Sequence, residues 1–223
     1  MRNQEIRVLA RSISLFVSFS ALFSAGAGAT TMLFADRTSF ELATGATSPG
    51  SIPQTPSGVP FPVGILTFSN ASGSSVNASI NWSTLIGENF DLAINGVENF
   101  NVASSSPLFS FGFDFHEPST ASPSFPDTCN ATCFESTFRI TLLDGLIPVG
   151  FEEFSKPNDA LTFVGVWSSD PFDRIEIRET TGNIDNEFFG NFLTGNRPLP
   201  EPTTLTLLGV GLVGLVLRRR GAA

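Results

Sequence analysis

The sequence contains no tyrosine, a single histidine and only two cysteines among its 223 residues. Ser-His-Asp catalysis would therefore have to use His116, and no G-x-S-x-G elbow accompanies it. Trp82 and Trp167 both fall in strand patterns typical of core residues, which disfavours an exposed aromatic platform for sugars. These shortages favour a protein without catalytic activity. A secreted hydrolase with paired carboxylates stays open as an alternative, because such enzymes need only two acidic side chains.

Basic residues are scarce between residues 30 and 197. This stretch has six of them against 19 acidic residues, so its charge is near −13. Nucleic acid is bound mainly through Lys and Arg contacts to phosphate, which excludes it as a partner. The acidity is typical of a protein that stays soluble outside the cell, and it also suits divalent cations.

The N-terminal apolar run is too short for a permanent membrane anchor. Three arginines precede this run, which covers residues 13–23, and small residues follow up to Ala27 and Ala29. A basic start, a short apolar run and an A-x-A site are the parts of a secretory signal peptide. We therefore predict a signal peptide over residues 1–29, cleaved after Ala29 by the general export machinery.

Cys129 and Cys133 form a close pair in the sequence CNATC. In an exported protein such a pair predicts a structural disulfide that pins a local loop. A metal site would need more ligands, and a redox-active pair more usually has the C-x-x-C spacing.

The middle of the chain has the period-two alternation of β-strands. Apolar and polar residues alternate in four segments: 76–82, 109–115, 138–142 and 174–178. Residues 161–167 are apolar on both faces, as a central strand can be. Turn residues separate these runs at short intervals. The pattern predicts an all-β, antiparallel sandwich with a jelly-roll-like arrangement over residues 30–197.

Local signals within this body predict its turns and its one helix. Asn95 and Gly96 favour a hairpin between the strands on either side. Residues 168–171 have the composition of another turn. Only residues 36–43 have a clear helical period, and Asp36 or Thr38 can cap that helix.

Calcium is the cation that acidic loops of such a sandwich can bind, because it prefers carboxylate and carbonyl oxygens. Asp170 and Asp173 flank one predicted turn, and Asp185, Asn186 and Glu187 form a second cluster. There is no EF-hand spacing. These residues are weak candidates for a calcium site, and no other cofactor is expected.

Three features follow one another at the C-terminus: a rigid proline motif, an uncharged apolar stretch and a basic cluster. They are Pro200, Glu201 and Pro202, then residues 203–217, then Arg218, Arg219 and Arg220. The apolar stretch gives about 22 Å of helix, shorter than a hydrocarbon core of about 30 Å. Arginines directly after an apolar helix act as a stop signal and prefer the cytoplasmic side. We therefore predict a short transmembrane helix, with the body outside.

This order and spacing resembles the PEP-CTERM sorting signal over residues 198–223. The resemblance implies recognition of Pro200, Glu201 and Pro202 by an exosortase, a transpeptidase-like membrane enzyme that cuts near this motif. It further implies delivery to the cell surface or extracellular matrix, with membrane anchoring at least until cleavage. Bacteria with this system typically make exopolysaccharide, which is a candidate partner. A short extension, residues 221–223, departs from the pattern.

The body resembles, more loosely, the β-rich ectodomains found upstream of such tails, and this likeness implies no established activity. The sequence thus predicts an exported ectodomain with a non-catalytic structural or binding role. A carbohydrate- or calcium-binding module is the first alternative, and the secreted hydrolase is the second.

Overall fold

The structure is a computed structural model that describes residues 29–78, 86, 90–117, 136–157, 160–181 and 187–197. Within these residues the chain forms ten strands and one helix. They are β1 (Thr31–Phe34), α1 (Arg37–Thr44), β2 (Phe61–Val63), β3 (Leu66–Asn70), β4 (Ser74–Asn77), β5 (Leu92–Gly96), β6 (Phe100–His116), β7 (Thr137–Asp144), β8 (Ile147–Ser155), β9 (Thr162–Thr181) and β10 (Phe188–Gly195). All strand pairs among them are antiparallel, which confirms the predicted class.

The strands form one sheet whose two halves share β6 and β9, the two longest strands. The first half contains β4, β5, β10, the C-terminal part of β6, the N-terminal part of β9 and β1. The second half contains β2, β3, the remaining parts of β6 and β9, β7 and β8. The β6–β9 register shifts between Ala103 and Ser110, where both strands pass from one half to the other.

The two halves pack face to face around phenylalanine side chains. The ring centroid of Phe115 in the first half lies 5.5 Å from Phe138 and 5.4 Å from Phe154 in the second half. Phe189 of β10 lies 4.9 Å from Phe100 of the second half. These five side chains are all buried. Because β-strands have period two, alternate residues of each strand reach this shared core.

The predicted alternation is confirmed in β7, where the three apolar residues at alternate positions are fully buried, and at Ile175 and Ile177 of β9. The central strand is also confirmed, because β9 is buried on both faces from Phe163 to Trp167. Phe109 departs from the expected pattern. It is only half-buried, because it lies where the β6–β9 register shifts.

Two of the predicted turns are wrong. Asn95 and Gly96 end β5, but β5 pairs with β4 and β10 and not with β6. The chain instead crosses to the second half of the sheet, where Phe100 begins β6 beside β3. Residues 168–171 lie inside β9, where the shift in register bends the strand without reversing it.

The predicted helix is confirmed as α1, with Asp36 as its N-cap. The backbone N–H of Ser39 donates to Asp36 Oδ1 at 2.8 Å. Gly45 ends the helix with φ of 65°, a left-handed conformation that favours glycine. Phe40 projects from α1 onto the outer face of the first half and packs on Phe163 of β9, with ring centroids 5.3 Å apart.

Candidate functional site

At one end of the core, glutamate side chains lie beside the buried phenylalanines. In four segments a glutamate lies two residues before or after a fully buried core residue. The period-two alternation of an extended chain therefore directs both side chains to the same face of the sheet. The pairs of core residue and glutamate are Phe100 and Glu98, Phe115 and Glu117, Ile177 and Glu179, and Phe189 and Glu187. Glu98, Glu117 and Glu187 are buried. Together with Ser136, which precedes Phe138 by two residues, these glutamates form what we call the carboxylate end.

Ser136 joins three of the carboxylates. Its backbone N–H donates to Glu117 Oε1 at 2.9 Å. Its hydroxyl oxygen lies 3.0 Å from Glu187 Oε1 and 3.3 Å from Glu179 Oε1. A serine hydroxyl has a single proton to donate. Three carboxylates therefore meet around a residue that offers two donors.

A second set of contacts ties the β5–β6 connection to β9. The backbone N–H of Glu98 donates to Glu179 Oε2 at 3.4 Å, and the backbone N–H of Glu179 donates to Asn99 Oδ1 at 2.9 Å. Glu179 thus interacts with both the β5–β6 connection and Ser136 before β7. The carboxylate end brings together segments that are distant in sequence and belong to both halves of the sheet.

Electrostatics at this end favour the neutral form of Glu187. Burial raises its pKa well above the usual value, and the negative charges of Glu179 and Glu117 raise it further. Hydrogen bonds from the Ser136 hydroxyl and from the backbone N–H of Glu187 itself lower the pKa, but both are weaker influences than burial and the neighbouring charges. Glu187 Oε2 is buried and makes no hydrogen bond to any residue that the structure describes. An ionised carboxylate in such a place requires positive charge nearby.

Of the predicted calcium residues, Asp170, Asp173 and Glu187 lie within the described ranges. Asp170 is exposed within β9, and the Oδ1 atom of Asp173 accepts a hydrogen bond of 2.8 Å from the backbone N–H of Gly145 in the β7–β8 turn. That turn lies at the opposite end of β7 from Ser136. Asp185 and Asn186 lie outside the described residues. Within the described ranges, no group of three or more His, Cys, Asp or Glu side chains is arranged to hold a metal ion as it stands.

Most other predicted site residues also lie outside the described ranges. They are Ala27, Cys129, Cys133, Pro200, Glu201, Pro202, Arg218, Arg219 and Arg220, together with the predicted helix at 203–217. Ala29 is the first described residue. Thr30 is hydrogen-bonded to β9, because its N–H donates to Ser169 Oγ at 2.9 Å. In the part of the chain that the structure describes, no helix has the length and apolarity to cross a membrane.

Sequence reasoning missed Glu98, Glu117 and Glu179 as members of one site. Their signal is present in the sequence as a glutamate spaced two residues from a strand phenylalanine or isoleucine. Such a position continues the inward face of the strand. The spacing alone does not identify the site, because Glu152 of β8 stands at the same distance from Phe154 and does not belong to it.

Residues 198–220 match the model of the PEP-CTERM protein-sorting motif. The chain carries a PEP-CTERM protein-sorting motif. The match includes the proline motif and all three terminal arginines, and it stops before residues 221–223, so it confirms the resemblance. A PEP-CTERM motif marks an exported protein that is sorted to the cell envelope or surface. The match does not extend to the β body, residues 30–197.

Comparisons of the whole chain are less informative. No curated protein matches it. A family 11 carbohydrate-binding module of a cellulosomal cellulase from Clostridium thermocellum is 10% identical, with a TM-score of 0.37, over 72% of this chain and 99% of that one. A Stig cyclase from Fischerella sp. TAU is 11% identical, with a TM-score of 0.39, over 78% and 87%. A family 29 carbohydrate-binding module is 16% identical, with a TM-score of 0.30, over 79% and 97%. Likenesses this distant carry no argument about ligand or activity.

Proposed function

We propose that this PEP-CTERM protein is exported, processed near its C-terminus by an exosortase, and placed on the cell surface or in the extracellular matrix. The match of residues 198–220 to the sorting motif carries this proposal. Residues 203–217 hold the tail in the membrane, and Arg218 to Arg220 keep its end on the cytoplasmic side until cleavage. Residues 1–29 direct export and are removed after Ala29.

The body, residues 30–197, acts as a jelly-roll-like sandwich with a non-catalytic structural or binding role. The packing of Phe115 against Phe138 and Phe154 supports the sandwich, because it joins the two halves of the sheet across one core. A hydrolase with paired carboxylates would need both groups at a cleft that the substrate can enter. Glu187 and Glu179 both contact the Ser136 hydroxyl, but the side chain of Glu187 is wholly buried. This burial argues against Glu187 and Glu179 as the catalytic pair of such a hydrolase.

Processing can be tested with Glu201→Ala in the native host. We expect wild-type protein to have an intact mass that ends near Pro200 and to leave the membrane fraction. Glu201→Ala removes the charged group between the two prolines and should leave full-length protein in the membrane. Mass spectrometry of the surface and membrane fractions measures both outcomes.

Arg197→Ala is the matched control, because it removes a charge directly before the matched segment. This variant should be processed like the wild type. A wild-type protein that retains residues 218–223 at the cell surface would show that the tail is a permanent anchor and that exosortase processing does not occur.

A further inference from the structure

The carboxylate end brings acidic side chains together where Glu117 and Glu187 are buried and Glu179 is half-buried. The charges that act on Glu187 are those of Glu179 and Glu117, and both are negative. Buried charges in proteins are paired or bind metal ions, because an isolated one is strongly destabilised by loss of hydration. Either protons or a cation can supply the missing positive charge, and the geometry distinguishes between them.

Glu187 has one oxygen in use and one available. Its Oε1 atom contacts the Ser136 hydroxyl, whereas its buried Oε2 atom has no hydrogen-bond partner among the described residues. A carboxyl group kept neutral would place its proton on an oxygen that can donate it to an acceptor. A neutral Glu187 can place its proton on Oε1 and donate it to the Ser136 oxygen 3.0 Å away, but its buried Oε2 atom would still lack a hydrogen-bond partner among the described residues. A cation suits this oxygen better than a proton does.

The neighbouring carboxylates are close enough to share that cation. Glu187 Oε1 and Glu179 Oε1 lie 3.0 and 3.3 Å from the same Ser136 oxygen, and Glu117 Oε1 is bonded to the N–H of that serine. Calcium binds carboxylate oxygens at about 2.3–2.6 Å in flexible arrangements of six to eight ligands. The glutamate side chains would have to rotate to bring their oxygens to this spacing around one ion. The need for rotation agrees with the lack of a ready-made metal cage in the described ranges.

We propose that Glu117, Glu179 and Glu187 form a binding site for a divalent cation of the calcium type. Glu187 supplies the oxygen that lacks a partner, and Ser136 orients the three carboxylates. The site differs from the Asp170 and Asp173 candidates, which the structure places elsewhere. It does not depend on how the tail is processed.

Such an ion would fasten the two halves of the sheet to each other. Glu187 leads into β10 of the first half, whereas Glu179 lies in the part of β9 that pairs with β7 in the second half. A ligand that binds the folded chain stabilises it in proportion to the logarithm of its concentration. Calcium is abundant outside cells, so export would place this protein where the site is filled.

The test compares melting temperatures of the full-length protein in detergent, after removal of metal with EDTA and dialysis. With the millimolar affinity of extracellular calcium modules, about 10 mM CaCl2 should raise the melting temperature by about 3–6 °C over NaCl of equal ionic strength. Glu187→Gln should abolish this increase. Without metal, the same variant should melt no lower than the wild type, because its amide is neutral without taking up a proton, whereas burial and the charges of Glu179 and Glu117 disfavour an ionised Glu187.

Asp144→Asn is the matched control, since Asp144 is an exposed acid at the far end of β7. This variant should keep the full response to calcium.

Equilibrium dialysis of wild-type protein with radioactive calcium should show saturable binding of one ion, and Glu179→Gln should weaken that binding. This measurement tests the site if Glu187→Gln does not fold. Equal melting in CaCl2 and NaCl, with stability that rises only on acidification, would overturn the proposal. That outcome would assign the site to protonation alone, because a carboxyl whose pKa is raised by folding stabilises the fold when protonated.

Discussion

Replacing Phe189 by alanine should lower the free energy of unfolding by about 3–5 kcal/mol. Phe189 is fully buried where the two halves of the sheet meet, and its ring lies within 6 Å of four other phenylalanines. They are Phe100, Phe113, Phe115 and Phe138. Alanine would remove the contacts to all four and leave a cavity that rings on both sheet halves cannot fill. Urea unfolding followed by circular dichroism measures the loss.

Phe151→Ala is the control for this substitution. Phe151 lies on the edge strand β8 with 56% of its surface exposed, beneath the guanidinium of Arg139 at 4.9 Å. Its removal should change the free energy of unfolding by about 1 kcal/mol or less. If Phe189→Ala and Phe151→Ala had similar effects, the two sheet halves would not share the core described above.

The strand interiors could be predicted because their signal is local. In β7, Phe138, Ile140 and Leu142 alternate with polar or exposed positions. Residues at alternate positions lie on one face of a strand, so burying that face buries all three. The same reasoning finds Ile175 and Ile177. It also finds α1, because a helix cap and a helical period are both properties of a few neighbouring residues.

Strand pairing could not be predicted in the same way. Asn95 and Gly96 are compatible with a tight turn, but nothing in the local sequence shows that β10 will lie between β5 and β6. Pro171 suggested an interruption of β9. It is tolerated inside the strand because it falls at the register shift, where the β6–β9 ladder has no regular pair for its missing N–H.

The sorting motif and the carboxylate end illustrate the two extremes of predictability. The motif is contiguous, so its order of prolines, apolar residues and arginines is readable directly from the chain. The carboxylate end is assembled from Glu98, Glu117, Glu179 and Glu187, which are spread over 90 positions of the sequence. Each of them alone resembles an ordinary solvated acid. Only the topology of the sheet reveals that they meet.

Position in the sheet also explains why this end is electrostatically unusual. The core residues two positions from these glutamates and from Ser136 are Phe100, Phe115, Phe138, Ile177 and Phe189, and the four phenylalanines among them contribute aromatic rings. These rings offer no hydrogen bonds and exclude water, so they strengthen every charge interaction among the neighbouring carboxylates. The phenylalanine core stabilises the fold. By excluding water beside the carboxylates, it also makes their ionised form unfavourable unless a proton or a cation is bound there.

Substitution of Gly165 by alanine should lower the free energy of unfolding by about 1–3 kcal/mol. Gly165 does not have a positive φ, so its backbone accepts alanine, and the effect is purely steric. A Cβ atom there would lie 2.6 Å from Cδ2 of Phe40 and 2.9 Å from Cε1 of Phe163. Phe40 is fully buried between Phe34 and Phe163, with ring centroids 5.4 and 5.3 Å away, so it has little room to move.

A double-mutant cycle with Phe40→Leu separates this steric clash from other causes of instability. Leucine is smaller than the ring and leaves space for the new methyl group, so Gly165→Ala should be less destabilising in the Phe40→Leu background than in the wild type. The expected coupling is about 0.5–3 kcal/mol, measured by urea unfolding of all four proteins. Additive effects would mean that Phe40 does not occupy the space above Gly165. The docking of α1 on the outer face of the first half would then have to be different.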